Sequence, residues 1–162
     1  MKQLLVSFTR YEKWANKIML DVILQLSEQQ QHQEIKSSFP SIHKTCLHIW
    51  DASSIWWQRV HGQEHMVVPS LHSHPTIKEI ADGLLQQNMQ WIEWVQGVDD
   101  GMLEKIFPYK TMKGDAFQQP VKDILLHLNN HGTYHRGQLV TMLRQVGVEK
   151  IPQTDYILYS RG

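Results

Sequence analysis

Hydrophobic residues recur at intervals of three and four along most of the chain, and breaks in this pattern divide it into four long segments. The period matches one buried face of an α-helix. The first segment extends from Lys2 to Glu28, with apolar positions at Leu4, Leu5, Phe8, Tyr11, Trp14, Ala15, Ile18, Met19, Val22 and Leu26. The second begins at Ser41, a predicted N-cap that follows Pro40, and ends near Gly62.

The third and fourth helices carry clear boundary signals. Thr76, followed three residues later by Glu79, is a capping-box pattern that predicts a helix start, and this helix ends near Gly97. Pro120 is typical of a helix start, and Gly147 is typical of the residue that follows a helix end. The fourth helix is therefore predicted from about 120 to 147.

The segments between the helices complete the predicted fold. Residues 29–39 are polar and irregular, 62–75 contain two prolines, and 98–119 are longer than a usual loop. Within the last of these, Ile106–Tyr109 could pair with the stretch after Gly114 as a short β-hairpin. Four helices of about 20 to 27 residues predict an all-α fold, a four-helix bundle in one domain spanning 1–162. Because the first connections are not tight turns, a long crossover is expected, and the last fifteen residues are predicted to be a docked tail.

Composition narrows the classes of partner. The 16 basic and 16 acidic residues balance, which argues against nucleic acid as the main partner. No run approaches 18 apolar residues and the N-terminus lacks a signal-peptide pattern, so we expect neither membrane insertion nor secretion. A single cysteine, Cys46, cannot form an intramolecular disulfide, which suits the cytoplasm.

Histidines are unusually spaced in the fourth helix. Among ten histidines in the chain, His127, His131 and His135 stand at i, i+4 and i+8. With His131 set at zero on a helical wheel, His135 falls at about 40° and the apolar stripe centres at about 70°. These two rings should therefore face the bundle interior, whereas His127, at about −40°, lies at the stripe's edge. Two imidazoles one turn apart can bind one divalent cation; the alternative is two core histidines with separate hydrogen-bond partners.

A third ligand would have to come from another helix. In the second helix His48 borders the inward stripe, whereas His43 and His61 fall on the opposite side and are predicted to be solvated. Cys46 also faces away from His48, so a small packed residue is the favoured interpretation there.

At this point the sequence resembles the DinB-like superfamily of four-helix metal-binding proteins. The resemblance rests on Trp14-Ala15-Asn16, on His48 with Trp56, and on the string His131-Gly132-Thr133-Tyr134-His135-Arg136-Gly137-Gln138. It implies an up-down-down-up bundle with a long crossover, commonly a homodimer. It also implies a divalent metal ion held by one histidine of the second helix and two of the fourth, which by position are His48, His131 and His135.

The chemistry of such a site depends on whether a coordination position of the ion stays free for a substrate. Structural zinc sites are normally closed by four protein ligands, so three imidazoles indicate the catalytic type. An ion there could activate a thiol for S-transfer or water for hydrolysis, and family members of known activity include thiol-dependent S-transferases. We therefore expect a metal-dependent enzyme with a small-molecule substrate and a low-molecular-weight thiol as its candidate partner. S-transfer is favoured over hydrolysis, which is the alternative reaction. A non-catalytic metal-binding stress-response module and a purely structural bundle are the alternatives. Imidazole ligands suit zinc, nickel, iron and copper. Zinc or nickel is the expected ion, with iron as a further candidate.

Four further positions carry specific hypotheses. Gln138 and Asp51 are candidate hydrogen-bond partners of the ligand histidines. Gly132 and Gly137 each cost about 1 kcal/mol of helix stability relative to Ala, which predicts close approach of another helix at both.

Three large side chains raise questions of packing. Arg136 is a candidate for an ion pair that fixes the fourth helix. Trp50 and Trp57 fall outside the inward stripe of the second helix, which indicates either packing beneath another element or a dimer face.

Overall fold

Four long helices form the body of the protein. In the computed structural model, which describes residues 1–63, 65–111 and 113–162, they are α1 (Lys2–Ile23), α3 (Ile42–Val60), α5 (Ile77–Gly97) and α7 (Val121–Gln145). The shorter elements are α2 (Glu28–His32), α4 (Pro69–His72), α6 (Asp100–Glu104), β1 (Ile106–Lys110), β2 (Ala116–Pro120) and α8 (Tyr156–Tyr159). Within those ranges, no helix combines the length and apolar character needed to cross a bilayer. The four predicted helices and the hairpin are confirmed.

The helix ends follow local capping chemistry. Ser41 accepts a hydrogen bond from Lys44 N, and Thr76 forms the predicted capping box with Glu79. The first helix is shorter than predicted, because Ser27 and Gln30 form a second capping box that starts α2. That Ser-x-x-Gln pattern, which begins just before the polar segment, was a signal for a new helix.

Two apolar clusters show how the helices run. The first joins the C-terminal halves of α1 and α7 to the N-terminal halves of α3 and α5, through residues that include Met19, Ile42, Ile80 and Met142. The second joins the opposite halves, through residues that include Leu5, Val60, Trp91 and Leu125. Therefore α1 and α7 run in one direction and α3 and α5 in the other, which is the up-down-down-up arrangement.

The connections between the long helices follow from the way the helices are arranged. Each of α1 and α3 packs against both α5 and α7, so α1 and α3 are diagonal, as are α5 and α7. The chain between α5 and α7 contains α6 and the antiparallel pair β1–β2, in which Ile106 lies opposite Pro120. Because α3 and α5 are parallel neighbours, the chain between them returns along α3, where Ser70 N donates to Asp51 and the Pro75 carbonyl contacts His43. This confirms the long crossover, and α3 lies beside α7.

The C-terminal tail docks on α1. Tyr11 Oη donates a hydrogen bond to the Thr154 carbonyl at 2.7 Å. The Phe8 and Tyr156 rings stack with their centroids 4.9 Å apart. The predicted docked tail is therefore present and ends in the short helix α8.

Two tryptophans predicted to lie outside the stripe pack against α5. A Cβ atom on Gly83 would lie 2.6 Å from Trp50 Cε2, so α5 approaches α3 where that glycine leaves space. The Trp57 and Trp91 rings meet edge to face, with centroids 5.0 Å apart. Both tryptophans therefore pack against a neighbouring helix, which was the first of the two interpretations. The homodimer stays a prediction.

One histidine was misplaced by the helical wheel. His43 is 6% exposed, its Nε2 lies 2.8 Å from the Pro75 carbonyl, and its ring stacks on His32 at 4.4 Å. The prediction of a solvated His43 is wrong because the segment before α5 and the helix α2 both cover this side of α3. His61 is exposed, as predicted.

The two glycines of α7 have different surroundings. At Gly132 a Cβ atom would overlap Glu12 Oε1 of α1 and lie 2.9 Å from Arg136 Nη1. At Gly137 no heavy atom of the described residues lies within 4 Å of that position. Close approach of another helix is confirmed at Gly132 and wrong at Gly137, which is on the exposed side of the helix.

This difference predicts opposite effects of the same substitution. Gly132→Ala should lower the free energy of unfolding by about 2–3 kcal/mol, because the new methyl group forces the Glu12 carboxylate away. Gly137→Ala, the matched control, should raise it by about 0.5–1 kcal/mol, because alanine is the better helix former. Urea denaturation followed by circular dichroism measures both, and equal effects of the two substitutions would contradict the proposed contact.

Candidate metal centre

Three histidines from two helices meet at one point. His48 of α3 and His131 of α7 face each other with their Nε2 atoms 3.0 Å apart. The His135 ring lies one turn further along α7, with its centroid 4.4 Å from that of His131 and 4.6 Å from that of His48. One nitrogen of each ring lies within 4.8 Å of the others. The structure thus brings together the three predicted ligand residues.

The fold explains this convergence. His131 and His135 are four residues apart, so they share one face of α7. Because α7 packs beside α3, that face meets His48. The wheel correctly left His127 outside the group: its ring centroid is 5.7 Å from that of His131, and it packs against Trp56.

The donor set fits a divalent metal ion. Ligand nitrogens about 2.0–2.1 Å from a tetrahedral ion lie roughly 3.3 Å from one another. The observed 3.0 Å between two of the nitrogens is near this value. The nitrogens of the group lie within 4.8 Å of one another, so binding would draw the most distant of them closer by up to about 1.5 Å. Neutral imidazoles suit zinc, nickel and iron alike, so the geometry does not select one metal.

Gln138 holds one of the three rings in place. His135 Nδ1 lies 2.8 Å from Gln138 Oε1, and Gln138 Nε2 donates to Ser38 Oγ at 2.8 Å. Because an amide oxygen can only accept, His135 Nδ1 must carry the proton, which leaves Nε2 free as a metal donor. The structure therefore places Gln138 where the sequence hypothesis needed it.

Asp51, the other candidate partner of the ligand histidines, binds a backbone group of the segment around α4. Its Oδ1 accepts a hydrogen bond from the backbone N–H of Ser70 at 3.0 Å, and no hydrogen bond joins it to the three histidines in the part of the chain that the structure describes. On a helical wheel Asp51 falls at about −60° from His48, away from the inward stripe. The carboxylate fastens the segment around α4 to α3 instead of supporting a ligand ring.

Aromatic side chains border the cluster. Phe39, in the loop before α3, stacks on His48 with ring centroids 4.0 Å apart and lies 5.7 Å from His135. Sequence analysis missed this residue, because nothing in the pattern of a loop indicates which helix its side chain covers. On the other side, Trp56 packs against His127 at 5.6 Å.

Burial keeps the cluster uncharged. Burial, together with the neighbouring histidines, lowers the pKa of His131 to about 3 and that of His48 to about 4. Burial also lowers the pKa of His135, although its hydrogen bond to Gln138 acts in the opposite direction. Neutral rings are the form that binds a metal ion.

A buried ion pair lies directly behind the cluster. Arg136, which is 1% exposed, places Nη1 2.7 Å from Glu12 Oε1 and 2.9 Å from Asn16 Oδ1. The structure thus pairs Arg136 with α1, as the ion-pair hypothesis required. Burial raises the pKa of the Glu12 carboxyl, and the guanidinium lowers it. Sequence analysis missed Glu12, although its position seven residues from both Leu5 and Met19 marks the buried face of α1.

Comparison with known proteins agrees with this architecture. The family model described as "DinB family" matches residues 1–162. The chain is 31% identical over 156 residues to Protein DinB of Bacillus subtilis (strain 168), covering 92% of this chain and 89% of that protein. A crystal structure of a DinB-like protein from Bacillus cereus ATCC 10987 is similar, with a TM-score of 0.69, 26% identity, and coverage of 89% of this chain and 91% of the other.

The lowered histidine pKa values predict an acid-sensitive metal-free protein. Below about pH 6.5 histidines of the unfolded chain take up protons that the folded cluster does not, so stability should fall from there toward pH 4. His48→Gln should make this dependence shallower, whereas His61→Gln, at an exposed position, should keep it. Urea midpoints between pH 7.5 and 4.5 test this, and a wild-type midpoint that does not change with pH would contradict it.

Proposed function

This chain belongs to the DinB family, and on that premise we propose that it is a metal-dependent enzyme that transfers a small thiol to an electrophilic substrate. His48, His131 and His135 would hold one divalent ion. The single observation that carries this proposal is the convergence of three imidazole nitrogens within 4.8 Å at the contact of α3 and α7.

The number and type of ligands favour catalysis over a structural role. Structural zinc sites are normally closed by four protein ligands, whereas catalytic sites keep a position for substrate. Among the residues that the structure describes, the candidate ligand group contains three histidines and neither a carboxylate nor a thiolate. Three neutral donors leave the charge of the cation undiminished, which suits the binding of an anionic nucleophile.

The same donor set favours a thiol over water as the nucleophile. When bound, the ion would supply a Lewis acid that lowers the pKa of a thiol or water ligand. A thiol, with an ordinary pKa near 8.5, loses its proton to solvent far more readily than water and therefore does not depend on a carboxylate base. In the transfer, the sulfur forms a bond to an electrophilic carbon, the leaving group departs with its bonding electron pair, and the thiol proton passes to solvent.

The thiol would come from a separate small molecule. Cys46 is 1% exposed and burial raises the pKa of its thiol to about 12, so it is a poor nucleophile. Two further residues would orient the ligand rings: Gln138 fixes the tautomer of His135, and Phe39 stacks on one face of His48. Zinc or nickel is the preferred ion in this proposal, with iron as a further candidate.

Metal loading and thiol coupling test the proposal together. Protein purified without an affinity tag should bind about one equivalent of zinc or nickel, and His48→Ala should lose most of it. The loaded wild type should couple a small thiol to a chromogenic alkyl halide at least ten-fold faster than His48→Ala. His127→Gln is the matched control, because it removes a neighbouring histidine outside the group.

The outcomes separate the candidate functions. Equal coupling rates for the wild type and His48→Ala would overturn the transferase. Metal-dependent ester hydrolysis without coupling would favour a hydrolase, and stoichiometric metal without either activity would favour a metal-binding module. No stoichiometric metal after reconstitution would leave a structural bundle with buried histidines.

A further inference from the structure

A groove lies on the surface of the bundle where α1 and α5 meet. Its volume is about 460 Å³, which is within the range of pockets that bind small molecules. Because α1 and α3 are diagonal, as are α5 and α7, this contact lies on the opposite side of the bundle from the contact of α3 and α7. The groove is therefore separate from the histidine cluster.

The α1 side of the groove is positively charged. Arg10, Lys13 and Lys17 line it, and their spacing of three and four residues places them on one face of the helix. Lys17 Nζ lies 2.7 Å from Asp21 Oδ2, whereas Arg10 and Lys13 form no ion pair within the part of the chain that the structure describes. None of the described lining residues is Asp or Glu. In a chain whose charges balance overall, this local excess attracts an anion.

The other walls of the groove are apolar and aromatic. Met89 and Ile92 line it from α5, and Trp14 of α1 and Tyr159 of α8 border it with their ring centroids 5.6 Å apart. Aromatic and thioether side chains make favourable contacts with the ring of a ligand. The groove thus combines a surface for an aromatic body with charges for an anionic group.

The C-terminal tail holds the aromatic wall in place. The Tyr159 ring also packs against Tyr11, with centroids 5.8 Å apart, and Tyr11 Oη donates to the Thr154 carbonyl at 2.7 Å. The wall is therefore formed before a ligand arrives. Such preorganisation lowers the entropic cost of binding.

We propose that this groove binds a small aromatic molecule that carries an anionic group, such as an aryl carboxylate. The ring would pack against Trp14 and Met89, and the anionic group would meet Arg10 and Lys13. Ion pairs at a protein surface are individually weak, so the aromatic contact supplies most of the affinity and the two cations supply the selectivity for an anion. The proposal does not depend on a metal ion.

Binding to the metal-free wild type provides the first test. In ¹H–¹⁵N NMR spectra, 2-naphthoate should shift the indole N–H resonance of Trp14, and it should bind about five-fold more tightly than the neutral 2-naphthamide. Acetate, which has the charge without the ring, should leave this resonance unchanged at the same concentration. Equal affinities for naphthoate and naphthamide, or shifts confined to the other tryptophans, overturn the proposal.

Substitution of the two cations provides the second test. Arg10→Gln and Lys13→Gln should each weaken naphthoate binding about three-fold, because each removes one ion pair at the surface, and neither should change naphthamide binding. Lys36→Gln is the matched control, because it removes the same charge from the loop before α3. If Lys36→Gln weakens naphthoate binding as much as the other two, a general charge effect replaces the proposed site.

Two further measurements separate this groove from the metal centre and from a dimer face. The metal-free His48→Ala protein should bind naphthoate as the wild type does, and a loss of binding would place the anion at the histidine cluster instead. Sedimentation velocity should give the same oligomeric state for the wild type and Lys13→Glu. A wild-type dimer that Lys13→Glu dissociates would mean that a second copy covers this face, which overturns the proposal.

Discussion

The ion pair between Arg136 and Glu12 is the constraint on which the rest of the site depends. Both groups are withdrawn from water, and a buried charge is tolerated only when it is paired and hydrogen-bonded. The pair joins α7 to α1, while Asn16 accepts a further hydrogen bond from the guanidinium. Because Arg136 directly follows His135, this contact sets the rotation of α7 about its axis and therefore the direction in which the histidine face points.

The polar layer around this pair has consequences for sequence and packing. It separates two apolar clusters, each of which draws residues from all four long helices. A glycine is needed at 132 because the Glu12 carboxylate fills the place of a side chain. The cost of a helical glycine is thus offset by an ion pair that could not form beside an alanine.

The histidine cluster, in contrast to the ion pair, has to be uncharged in order to bind a cation. Three imidazoles at short distance cannot all be protonated, and burial shifts them to the neutral form that binds a cation. One ring is already held in the appropriate tautomer by Gln138, and a side chain from a loop covers another. This preorganisation is what a metal centre needs and what a purely apolar packing role does not explain.

Local patterns in the sequence determined most of the fold, because apolar periodicity, capping boxes and breakers act over a few residues. The same periodicity placed His131 and His135 on the inward face of one helix. The wheel also placed His48 at the border of the inward stripe of the second helix. Its role as the third ligand came from the family resemblance, since a wheel gives direction within a helix but not the partner that it meets. The contacts of Glu12, Phe39, His43 and Asp51 were decided by tertiary structure alone, because each depends on an element distant in sequence: a facing helix, a covering loop or a crossing segment.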